Sequence, residues 1–236
     1  MANPLFNDKA IENAGISRTA MTVSGAIGKS FLLTLVTAAT AYFGWQNAQI
    51  VSPFIIPLIL VAFGAVIFSY FKPTSTPIVA PIYAILEGVA LGAISYIYNQ
   101  QWNGIVLQAL MLTFGILFAM LVLYQTRIVR VTEKFRSVIV LATAGIAILY
   151  IGSMVANMFG ANLSFINGAT PFSIGLNVVI AIIASLNFLL DFDNIEKGAA
   201  AHAPKYMEWT AAMGLLITII WLYLEILRLL SQLNRR

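Results

Sequence analysis

The residues in this 236-residue chain that could do chemistry are mostly acids set in apolar surroundings. Glu87 lies inside LEGVALGAI (Leu86–Ile94), with long apolar runs on both sides. Asp191 and Asp193 lie in LNFLLDFDNIEKG (Leu186–Gly198), and Glu225 and Arg228 stand three residues apart in the last apolar stretch. Where such a stretch crosses a bilayer, an ionised group near its centre costs ~2.5 kcal/mol or more. Each carboxyl group must therefore stay protonated, pair with a cation or face water. The chemistry this predicts is attraction of cations and exchange of protons.

Bond-making chemistry is poorly equipped. The one histidine, His202, sits in a polar tract with Lys197 and Lys205, and the spacing predicts a solvated loop there. There is no cysteine, and no HExxH, GxSxG or P-loop pattern. An intramembrane serine protease would need a deep histidine, and an aspartyl protease two aspartates on different spans. No enzyme activity, cofactor or bound metal is expected. Asp191, Asp193 and Glu196 resemble a calcium loop only superficially, because an EF-hand needs further oxygen ligands and a glycine at its sixth position.

Spacing adds detail to two of these acids. Asn177, Ala181, Ala184, Asn187 and Asp191 recur at helical intervals, which predicts a small or polar face directed away from lipid. Asn177 and Asn187 are thus candidate lining residues. Glu225 and Arg228 are placed to pair along one helix face. Trp221, in mid-span, reads as a packing residue.

The elements that must position these groups follow from composition. Sixty per cent of residues are hydrophobic and 9% charged, with a mean hydropathy of +0.89. A soluble domain averages about 25% charged. Seven apolar stretches run near Ile27–Trp45, Ile50–Tyr70, Val79–Tyr98, Gly104–Tyr124, Val138–Phe159, Pro171–Leu190 and Thr210–Leu230. Each approaches the ~20 helical residues that cross ~30 Å of hydrocarbon. Only helices or closed barrels satisfy the backbone in lipid, and no period-two alternation suggests a barrel. The fold class expected is an all-α integral membrane protein with three parts: a tail over residues 1–26, a seven-helix membrane domain over 27–230 and a short basic tail over 231–236. On the third span Ala84, Gly88, Gly92 and Ser95 form a stripe of small residues that permits close helix packing. No signal peptide is expected at the N-terminus, and no internal repeat is evident.

The formal net charge of +4 is arranged as topology signals between spans, so no nucleic-acid partner is expected. Lys9, Arg18, Lys29, Lys72, Arg127, Arg130, Lys134, Arg136, Lys197 and Lys205 would all lie on one side of the bilayer. The connectors after the first, third and fifth spans carry no lysine or arginine. That asymmetry predicts a cytoplasmic N-terminus. Arg228, Arg235 and Arg236 run against it if the seventh span crosses fully; a seventh segment that does not cross is the alternative, and full crossing is expected because late basic residues weigh less than those around earlier spans. Tyr42, Trp45, Tyr70, Tyr96, Tyr98, Tyr124 and Trp209 fall near span ends, where headgroups favour amphipathic rings.

At the sixth span the pattern resembles a known family. LNFLLDFDNIEKG, the ending ILRLL (Ile226–Leu230) and the acidic third-span stretch LEGVALGAI are similar to features of the Bax inhibitor-1 family. The resemblance implies six helices around a central hydrophobic seventh, and a pH-sensitive Ca²⁺ leak in the cytoplasmic membrane of a bacterium. It also implies a gate in which Asp191 shares a proton with an acid on helix seven, since two close carboxylates titrate as a coupled pair. Here Thr218 stands where that second acid is expected, so either Asp193 or Glu225 substitutes or the switch is weakened. On this reading Glu87, Asp191, Asp193, Glu225 and Arg228 belong to the ion path or gate, with Thr218 a lining residue. The partners are Ca²⁺ or another weakly bound cation and the bilayer. The rival is a non-conducting interaction protein that contacts a membrane protease or stress-response partner through Arg127–Arg136. A small-solute transporter would need paired broken helices, and only Pro53 and Pro57 hint at one.

Overall fold

A computed structural model describes residues 20–159 and 168–235. The tail residues Lys9 and Arg18, most of the connector after the fifth span, and Arg236 lie outside the described residues. Among the described residues seven helices are long and apolar enough to cross a membrane. They are α1 (Val23–Gln46), α2 (Ala48–Phe71), α3 (Thr76–Gln101), α4 (Ile105–Gln125), α5 (Glu133–Met158), α6 (Pro171–Ala200) and α7 (Met207–Asn234). The chain is an all-α, multi-pass membrane protein.

Local chemistry sets the helix ends. The Thr22 hydroxyl accepts from the Gly25 amide and caps α1, while Thr132 and Thr170 do the same for α5 and α6. Pro53 falls in a 3-10 turn, Ser52–Phe54, that interrupts α2 near its start. Pro57 follows in the first turn of Ile55–Phe71, where a missing amide proton leaves no helical bond unmade. Gly104, at φ 82, makes the tight turn between α3 and α4.

One expected boundary shifts in a way that matters. The apolar pattern ends the sixth span at Leu190 and makes Asp191–Trp209 a connector, yet α6 continues to Ala200. A helix does not stop where its residues cease to be apolar, and Lys197 paired with Asp193 at 2.9 Å supports the polar extension. Asp191 and Asp193 therefore lie within α6, in its last third, and not in a connector.

The described residues fall into two compact units. Those up to Gln101 form one with Asp191–Ile217; Trp102–Leu190 forms the other with the residues from Thr218 onward. In the first, α1 and α3 pack along their length. The small-residue stripe operates as expected. A Cβ on Gly88 would collide with Thr37 and Thr40, one on Gly92 with the Ala41 carbonyl, and one on Gly44 with the Val89 carbonyl. The Thr37 and Thr40 hydroxyls sit 3.4 Å from the Ala84 carbonyl across the same contact.

In the second unit, polar ties join the helices inside the apolar packing. The Asn177 amide donates to Gln232 at 2.9 Å, from α6 to α7, and that of Asn187 donates to the Thr143 hydroxyl at 3.0 Å, from α6 to α5. Asn177, Ala184, Asn187 and Asp191 are all buried and Ala181 half-buried, so the predicted polar face does turn away from lipid. Of the seven spans α7 is the most enclosed, with 61% of its apolar window buried, against 50% for α6.

Candidate functional site

Four acidic sites differ in how their charge is met. Glu225 on α7 is buried and receives three donors. They are the Tyr150 hydroxyl from α5 at 2.6 Å, the Trp221 indole N–H at 3.1 Å and the Arg228 guanidinium at 3.0 Å. Arg228 lies 5.0 Å from the Tyr150 ring centroid. The expected Glu225–Arg228 pair is present, and Trp221 proves to be one of its hydrogen-bond donors as well as a packing residue.

Asp191 and Asp193 near the end of α6 are 5% and 7% exposed, low values for carboxylates. Asp193 is engaged by Lys197. Asp191 belongs to the same compact unit as Glu87 and Asp193, while Thr218 belongs to the other with Glu225 and Arg228. Among the described residues, no three histidine, aspartate or glutamate side chains are grouped to hold a metal ion. His202 is exposed in the short turn between α6 and α7, as expected, at φ 53.

Glu87 is half-buried on α3, one turn after the buried Tyr83. Among the described residues no hydrogen bond or ion pair reaches its carboxyl group. The neighbouring Gly88 and Ala84 face α1, so Glu87 projects beside that tight seam and not into it.

The acid of the fourth site, Glu208, is absent from the residues the sequence pattern singles out. It lies in the first turn of α7 with its side chain fully buried. It accepts from the Thr22 amide at 2.9 Å, the Thr22 hydroxyl at 3.0 Å and Lys205 at 2.9 Å, and it forms an ion pair with Lys29. The Lys29 ammonium also lies 5.4 Å from the Trp209 ring centroid. A local signal existed, since Glu208 follows Lys205 by three residues at the start of a span. Nothing local connects it to Thr22, which the sequence pattern does not single out, or to Lys29, which reads as a topology charge. Tyr150 was missed for a similar reason, as one tyrosine among nine.

The arrangement holds charge inside apolar packing, and among the described residues the carboxyl group of Glu87 has no hydrogen-bond or ion-pair partner. No curated protein matches the chain. A family model described as Bax inhibitor 1 like matches residues 3–235, and the chain belongs to that family.

Proposed function

We propose that this protein is a leak pathway for Ca²⁺ or a similar cation, without catalytic activity. On this reading it lies in a bacterial cytoplasmic membrane, with its N-terminus in the cytoplasm. The observation that carries the reading is Glu87. Glu208 and Glu225 are each met by basic side chains, whereas among the described residues no basic side chain pairs with the carboxyl group of Glu87. A mid-membrane acid without such a partner is the group a permeating cation or proton would meet. Asp191, buried near the end of α6, is the proposed gate residue, and the family resemblance supports that role. Asn177 and Asn187 act through packing, given their side-chain partners. Arg228 is the internal counter-charge of Glu225.

The pH response is proposed to be weak, because Thr218 occupies the position of the second gate acid. The test is release of Ca²⁺ from dye-loaded liposomes bearing wild type, Glu87→Gln, Asp191→Asn or Thr218→Asp, measured on both sides of neutrality. The expected result is a wild-type leak that both neutralising substitutions reduce and that Thr218→Asp makes more pH-dependent. Wild type no leakier than empty liposomes would sink the channel reading. It would direct attention to a protein partner at Arg127–Arg136, where Arg127, Arg130 and Lys134 are exposed and Arg136 is buried.

A further inference from the structure

We infer that Glu208 is a positioning residue: it straps the entry of α1 to the turn between α6 and α7 and thereby holds the end of α6 that carries Asp191. The mechanical part stands on contacts within one compact unit, and the effect on conduction rests on the leak reading above.

Three kinds of contact converge on this strap. The first is backbone pairing. The Met21 amide donates to the Ala203 carbonyl at 2.7 Å, and Ala20 forms an isolated antiparallel bridge with Pro204. The second is the Glu208 carboxylate itself, which takes the amide and hydroxyl of Thr22 together with the ammonium groups of Lys29 and Lys205. One acid thus holds the cap of α1, the second turn of α1 and the turn before α7. The carboxylate is seated so close to α1 that a Cβ at Gly25 would collide with it. The third is apolar. Met21, Ala26, Ile195, Ala203, Met207 and Ala211 form one buried cluster.

Ile195 is the link to function. It lies one helical turn after Asp191 on α6, so the two share a helix face. Residues at the entry of α1 therefore pack on the helical turn next to the proposed gate. Releasing Glu208 frees the cap and both lysines at once, and loosens the packing that holds Ile195. The strap keeps the end of α6 in its closed position, and loosening it raises the leak.

Two substitutions break the strap by unrelated means. Glu208→Gln removes the charge and keeps the shape, whereas Gly25→Ala keeps every charge and displaces the carboxylate. Hydrogen exchange on the full chain in lipid nanodiscs is compared for both variants and wild type. A hydrogen bond to a charged group contributes roughly 1.5–3 kcal/mol, so exchange over residues 20–30 and 199–210 is expected to accelerate about tenfold or more. The same variants should accelerate exchange over 190–198 and leave 105–125 unchanged. Both variants should also release Ca²⁺ from liposomes faster than wild type.

Faster exchange at the strap with 190–198 unmoved would overturn the positioning role, as would a leak that is unchanged or slower in folded variants. If neither strap segment accelerates, the strap itself is refuted. If wild type releases no Ca²⁺ at all, the leak reading fails alone, and the exchange over 190–198 still decides whether Glu208 positions α6.

Discussion

Glu208 and Glu225 stand on the same helix and are buried to the same degree, yet they are satisfied in opposite ways. Two of the three residues that hold Glu208 are distant in sequence, with Thr22 and Lys29 separated from it by 186 and 179 residues. Two of the three that hold Glu225, Trp221 and Arg228, come from its own helix within four residues, and only Tyr150 arrives from another. Glu208 is thus a tertiary tie, and Glu225 is mainly a charge neutralised where it stands. A carboxylate of the first kind holds segments together. One of the second kind makes a polar helix face tolerable inside the membrane.

That contrast can be broken by experiment. Glu208→Ala leaves two ammonium groups and a helix cap without their acceptor, and is expected to cost about 2 kcal/mol. The figure is below the roughly 3–5 kcal/mol of a fully buried broken pair, because Lys205 is half-exposed and water can solvate it. Thermal unfolding in detergent measures it, and a loss no larger than that of Glu225→Ala would contradict the distinction. Glu225→Ala is expected to cost about 1 kcal/mol, since Arg228 keeps the Tyr150 hydroxyl as a partner. A double-mutant cycle with Tyr150→Phe should show a coupling of at least about 0.5 kcal/mol, and additivity there would mean the cluster is not one network. The smallest effect belongs to Glu87→Gln. With no bond to lose, its stability should stay within about 0.5 kcal/mol of wild type. A larger loss would show that Glu87 holds the fold together, and the leak reading would lose its main support.

These differences also mark what could be read in advance. Spans were legible because hydropathy and length are local properties, and every predicted apolar stretch falls largely within one of the seven helices. The seam of Gly88 and Gly92 was legible because small residues at helical spacing have one physical use in a membrane. The Glu225–Arg228 pair was legible because its members share a helix face. Glu208 was not, since its meaning lies in Thr22 and Lys29, and no periodicity joins residues so far apart. The extent of α6 was misjudged because apolar character marks the membrane, whereas backbone hydrogen bonding marks the helix. Asp191 and Asp193 fall in the interval between those two limits.

The strap also bears on the order of events during synthesis. Thr22 and Lys29 emerge early, but the acid that satisfies them is made 186 residues after Thr22. At roughly 5–20 residues per second, the first helix waits about 10–40 s for its counterpart. During that interval its cap and lysine are without the carboxylate that later holds them. A nascent chain that stops before its last helix therefore leaves the entry of the first one unfastened. The contact of Thr22 and Lys29 with Glu208 is made only after the start of the seventh helix has been synthesised.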